Sequence, residues 1–141
     1  YASQLRKLIK ELKIQNNIIF KGRVETTELI DYYKNCRVFV FPSSIETFGN
    51  PLLEAMSVGV PIACSREAAM PEILGDTGLF FDPEDKYDMA NKIEQLLSDD
   101  ELSRNLGKMA GQRASSFLWQ TTAEQTYTVL KDAATRKPNV P

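Results

Sequence analysis

The runs "VFVF" (38–41), "VPIACS" (60–65) and "GLFF" (78–81) are short and mostly apolar, and they lack the polar–apolar alternation of a half-exposed strand. Such strands are expected to be covered on both faces, "RVFVFPSS" most clearly. A helical pattern separates each run from the next. "TTELIDYYKNC" has a Thr-x-Glu start and sets Leu29, Ile30 and Tyr33 on one face. "NPLLEAMSVG" offers Asn50 as N-cap, Pro51 at the first helical position and Gly59 at the exit. "MPEILGD" reads as a short helical turn. Upstream, "SQLRKLIKELKI" repeats Leu5, Leu8, Ile9 and Leu12 at amphipathic spacing, and "NIIFKG" reads as another strand, closed by Gly22. This alternation predicts the α/β class: a Rossmann-like, doubly wound parallel sheet of about four strands. After Asp82 only helical patterns remain, so helices gather at the carboxyl-terminal end. One domain is expected over residues 1–135, with 136–141 as a tail.

In such a sheet, ligands bind beyond the carboxyl ends of the strands. The loop Ser43–Gly49, directly after the strand "VFVF", is therefore the expected functional rim. The chain has no histidine, which removes Ser-His and Cys-His dyads and every His-ligated metal site. A net charge of −2 speaks against a nucleic-acid partner. No apolar run reaches the ~18 residues needed to span a membrane, and no signal peptide is visible. Cys36 and Cys64 flank apolar runs and read as buried free thiols in a reducing compartment.

What remains is carboxylates, amides and cations. Glu46 and Glu54 bracket Phe48, Gly49, Asn50 and Pro51 at a strand-to-helix handover. The helix start offers unbonded N–H groups and a partial positive charge, and Gly49 allows close approach to the backbone. Pro51 has no N–H, so an anion would be held by the amides of Gly49, Asn50 or Leu52. Carboxylates accept from the vicinal hydroxyls of a ribose or hexose. The pattern suits a molecule with phosphate in the middle and a polyol at each end. Read singly, Glu54 only favours the helix dipole, Glu46 is a solvated loop acid and Phe48 plugs the core.

The passage "FPSSIETFGNPLLEAMSVGVPIACS", followed by "MPEILGDTGLFFDPED", resembles the carboxyl-terminal half of a GT-B retaining glycosyltransferase of family 4. A strand ending in Pro-Ser, E-x7-E with Phe-Gly inside, Glu-Ala-Met, Gly-x-Pro, Pro-Glu and Gly-Leu all occur in order. The resemblance covers roughly residues 16 to 130, and "SSFLWQTTAEQTY" is similar to the family's closing Phe-x-Trp helix. It implies donor binding for transfer of a sugar from a UDP- or GDP-sugar to a glycan or lipid-linked acceptor. By position, Glu46 would hold hydroxyls of the transferred sugar and is the catalytic candidate. The amides near Phe48, Gly49, Asn50 and Leu52 would meet sugar and diphosphate, and Glu54 the ribose. Gly22, Arg23 and Val24 would lie by the base. The resemblance implies neither a cofactor nor an obligatory metal, and a cytoplasmic site of action, peripheral to the inner membrane face where the acceptor is lipid-linked.

Family domains open with a strand ending in Gly-Arg, a Lys-bearing helix and a second strand. These are not found before Tyr1, and neither is the amino-terminal acceptor domain. The expectation is a fragment, inactive alone, with sheet edges open to another chain. A non-catalytic GT-B-like interaction module and a GT-B-fold sugar-nucleotide epimerase are the alternatives. "SREAAM" departs from the glycines common before Pro-Glu, leaving Arg66 to meet substrate or solvent. Glu72 is expected to brace its turn, Trp119 to anchor packing, and Lys92, Glu94, Arg104 and Lys108 to form a solvated face.

Overall fold

The computed structural model describes residues 2–135; the expected tail, 136–141, lies outside them. Two compact units divide the chain at Ile30, and each stands by itself below.

The first unit holds helix α1 (Ala2–Glu11) and a 3-10 turn, Gln15–Asn17. The expected strand "NIIF" does not form. Ile18 has extended dihedrals, but a strand also requires a neighbour to take its N–H and C=O groups. Without a ladder the segment stays irregular, with Ile19 exposed and the Arg6 guanidinium 4.5 Å above the Phe20 ring. Helix α2 (Thr26–Asn35) begins in this unit and ends in the next.

The second unit carries β1 (Phe39–Phe41), α3 (Asn50–Ser57), β2 (Ile62–Ser65), α4 (Met70–Leu74) and β3 (Leu79–Phe81). Helices α5 (Lys86–Ser98), α6 (Asp100–Ala114) and α7 (Trp119–Thr135) follow. The strands form a parallel sheet in the order β1-β2-β3, pairing Phe41 with Cys64 and Cys64 with Phe80. Three strands form among the described residues, one fewer than expected. All of β2 is buried, as its apolar run requires, but β1 is only half-buried where cover on both faces was expected. The reason is its place at the edge of the sheet.

Ala63 and Phe81 meet Leu96 of α5 and Leu106 of α6 in the core. Asp85 and Asp99 cap α5 and α6, each carboxylate accepting from two amides of the first turn. Helix α6 reaches α3 through a glycine contact. A Cβ on Gly107 would collide with the carbonyl oxygen of Gly59, which itself has φ +74°. Gly107 thus tolerates the helix-interior penalty of ~1 kcal/mol because backbone must meet backbone there. Gly107→Ala is expected to destabilise the chain by roughly 1–3 kcal/mol in urea titration. A gain in stability, as helix propensity alone would give, would contradict this packing.

Candidate functional site

The β1 strand delivers the chain to the rim, and the loop 42–49 returns it to α3. Helix α3 begins one residue earlier than expected: its N-cap is Gly49, not Asn50. Gly49 sits at φ +84°, in the left-handed region, with no crowding around its Cα. Glycine is thus required by the backbone conformation, not by lack of space. Its carbonyl accepts from the Leu52 amide at 2.9 Å and the Leu53 amide at 3.3 Å. The Leu52 amide, expected as an anion donor, is therefore already engaged, and the Leu52 side chain is fully buried. The amides of Gly49 and Asn50 make no hydrogen bond among the described residues. Pro51 contributes none, so those two amides stand at the positive end of the α3 dipole.

Each acid is held through one oxygen. The Ser43 hydroxyl, 3.0 Å from Oε1 of Glu46 and 3.2 Å from the Ile45 carbonyl, can donate to either. The Tyr33 hydroxyl donates to Oε2 of Glu54 at 3.2 Å. Among the described residues the second oxygen of each carboxylate has no protein partner. Glu46 is half-buried and Glu54 exposed.

Tyr33 was read from the sequence only as part of an apolar helix face. It is buried, its ring edge-on to Phe39 with centroids 5.3 Å apart, and its hydroxyl reaches the acid. A tyrosine on an apolar face with a polar tip must find a partner, and that was the available signal. Burial first, then the Glu54 carboxylate and their hydrogen bond, pushes the Tyr33 pKa up to about 12. The phenol is a donor throughout the physiological range.

Phe48 and Asn50 share a groove of about 390 Å³ with Leu53, Phe117, Trp119 and Thr122. Phe48 and Phe117 meet edge-on, centroids 6.1 Å apart. Phe48 is thus a rim residue, 39% exposed, and not a core plug. Trp119, expected as a packing anchor, is 88% exposed. It opens α7, none of whose residues is buried among those described, so the indole finds nothing to pack under.

The remaining candidates separate. Gly22 (φ +65°), Arg23 and Val24 belong to the first unit, with the first two exposed. Arg66 is engaged with Asp88 at 3.0 Å. The Glu72 carboxylate, expected to brace its turn, is exposed and makes no hydrogen bond among the described residues; only its backbone carbonyl is engaged, accepting from Arg113. Cys64 is buried and Cys36 half-buried, both free thiols, and burial pushes Cys64 up to about 12. No three Cys, Asp or Glu side chains gather as metal ligands among the described residues.

Burial also pushes the Cys36 thiol up, and Tyr33 and Cys64, the two largest shifts, keep their protons in the folded chain at pH values where the unfolded chain has lost them. Their contribution to stability is complete below pH 9 for Cys64 and pH 10 for Tyr33, and is lost as pH rises toward 12. Urea titrations from pH 8 to 11 are expected to show falling stability. Cys64→Ala should flatten the portion beginning near pH 9, and Tyr33→Phe the portion beginning near pH 10. Unchanged slopes would contradict the burial of these groups.

Residues 1–113 match the family described as Glycosyl transferases group 1. The O-antigen chain mannosyltransferase B of Escherichia coli is 39% identical over 114 residues, covering 81% of this chain and 30% of that protein. The chain thus spans about a third of that relative's length. Sucrose-phosphate synthase from Thermosynechococcus elongatus superimposes with a TM-score of 0.83 at 29% identity, over 93% of this chain and 34% of that one. Anabaena HepE, solved in complex with UDP, shares the fold with a TM-score of 0.83 at 24% identity, over 94% of this chain and 37% of that one.

Proposed function

The chain belongs to the glycosyl transferases group 1 family, and we propose that it forms the donor-binding wall of a retaining glycosyltransferase. The reaction moves a sugar from a UDP- or GDP-sugar to a glycan or lipid-linked acceptor that a further domain presents. One observation carries the reading. Two carboxylates, each within reach of a hydroxyl on one oxygen and open on the other, bracket in sequence two unbonded amides at a helix start.

The chemistry follows from those groups. Glu46 accepts from hydroxyls of the transferred sugar and, being steadied by Ser43, orients the ring without moving a proton. The Gly49 and Asn50 amides, backed by the α3 dipole, meet the negative charge that builds on the leaving diphosphate. They are preorganised by the helix, so little reorganisation is needed as the bond breaks. Glu54, turned by Tyr33, accepts from the ribose. The groove beside Phe48 adjoins the sugar. The UDP held by HepE supports a nucleoside diphosphate as the leaving group.

Among the described residues no helix is long and apolar enough to cross a membrane. A cytoplasmic site of action, peripheral to the inner membrane face for a lipid-linked acceptor, belongs to the same proposal. So does pairing of the open edge of β1 with further strands of the same protein.

Calorimetry of UDP- and GDP-sugar binding to the full-length protein tests the assignments. Glu54→Ala removes a hydrogen bond to a charged group and should cost about 1.5–3 kcal/mol of affinity for both the nucleotide and the nucleotide sugar. Glu46→Ala should weaken only the nucleotide sugar and leave the free nucleoside diphosphate unchanged. Loss of less than ~0.5 kcal/mol for Glu54→Ala would remove the ribose assignment. A non-catalytic interaction module would bind neither ligand.

A further inference from the structure

The end of α4 is closed by a residue from a distant helix. The last carbonyls of a helix lack intrahelical partners, and here each is accounted for. Pro71 accepts from the Gly75 amide, and Leu74 accepts from the amide and the hydroxyl of Thr77. Glu72 and Ile73 both accept from Arg113 at the end of α6, at 2.7 Å from Nη2 and 2.7 Å from Nε. The guanidinium lies against Gly75, where a Cβ would fall 2.9 Å from its Cζ and where φ is +56°. Gly75 is the vacancy that admits the arginine.

The same guanidinium sits 5.8 Å from the centroid of the Phe117 ring, and Phe117 in turn meets Phe48 edge-on. A continuous set of contacts therefore runs from the Pro-Glu turn, through Arg113 and Phe117, to the residue before Gly49. We infer that Arg113 is a positioning residue that holds the Phe48–Gly49 turn in register with α4 through the Phe117 ring. Lysine cannot replace it, because one ammonium cannot form the fork that spans two successive carbonyls while presenting a flat face to an aromatic ring. The consequence for donor binding rests on the function proposed above; the coupling itself does not.

Amide hydrogen exchange on the ligand-free chain reads the coupling without any donor. The Leu52 and Leu53 amides report the start of α3, and the Gly75 and Thr77 amides report the end of α4. Arg113→Met should lower protection at both places and leave β2 and α5 unchanged. Phe117→Leu keeps the bonds of Arg113 and should lower protection only at Leu52 and Leu53. If Arg113→Met loosens only the α4 end, or if Phe117→Leu leaves Leu52 and Leu53 as protected as before, the inference is overturned. Should Arg113→Met fail to fold, the Phe117→Leu pattern decides alone.

Donor titration of the full-length protein then separates this inference from the functional reading. Both variants should weaken UDP- or GDP-sugar binding by roughly 2- to 30-fold. The double variant should lose no more than Arg113→Met alone, since the two act in series. Additive losses would overturn the coupling. A parent protein that binds no nucleotide sugar would instead refute the donor site, while the exchange pattern still judges Arg113.

Discussion

The parallel pairing of β2 with β1 on one side and β3 on the other determines where the loops of the candidate site emerge. Because all four residues of β2 are buried, its position leaves little freedom to its neighbours. A one-residue slip of β1 against it would turn the chain leaving Phe41 toward the opposite face. The registered ladder instead puts the exits of β1 and β2 on one rim, with α3 starting beside them. The glycine contact between α3 and α6 then keeps that helix close to the sheet. Site geometry here is inherited from backbone packing.

Much of this was legible in the chain, because buried parallel strands leave a distinctive apolar run and helices a distinct period. The three apolar runs each overlap one of the three strands found among the described residues, and each helical pattern overlaps a helix. "NIIF" was misread because an apolar β-branched run shows the propensity for a strand but not the presence of its neighbour. The cover over β1 was overestimated for the same reason. Strand formation is a property of pairs, and one segment of sequence carries only half of the information.

The site divides along a similar line. Glu46, Glu54, Phe48, Gly49 and Asn50 stand out by type and spacing: Glu46 and Phe48 lie on the loop before α3, Gly49 and Asn50 form its start and Glu54 lies within it. Their partners did not stand out. Tyr33 is 21 positions from Glu54, and Arg113 is about 40 from the carbonyls it caps. Nothing in local periodicity encodes such separations. The position of the N-cap was off by one residue because Asn50 is the better capping side chain, while Gly49 is the residue able to adopt the left-handed turn. That single step decides which amides are left unbonded.

In the proposed function the Gly49 and Asn50 amides receive the diphosphate between Glu46 and Glu54. An amide-resolved NMR titration of the nitrogen-15-labelled chain with UDP tests it most directly. The largest saturable shifts are expected at Gly49 and Asn50, with the Tyr33–Glu54 pair following. Saturable shifts confined to other surfaces, with Gly49 and Asn50 unmoved, would contradict it.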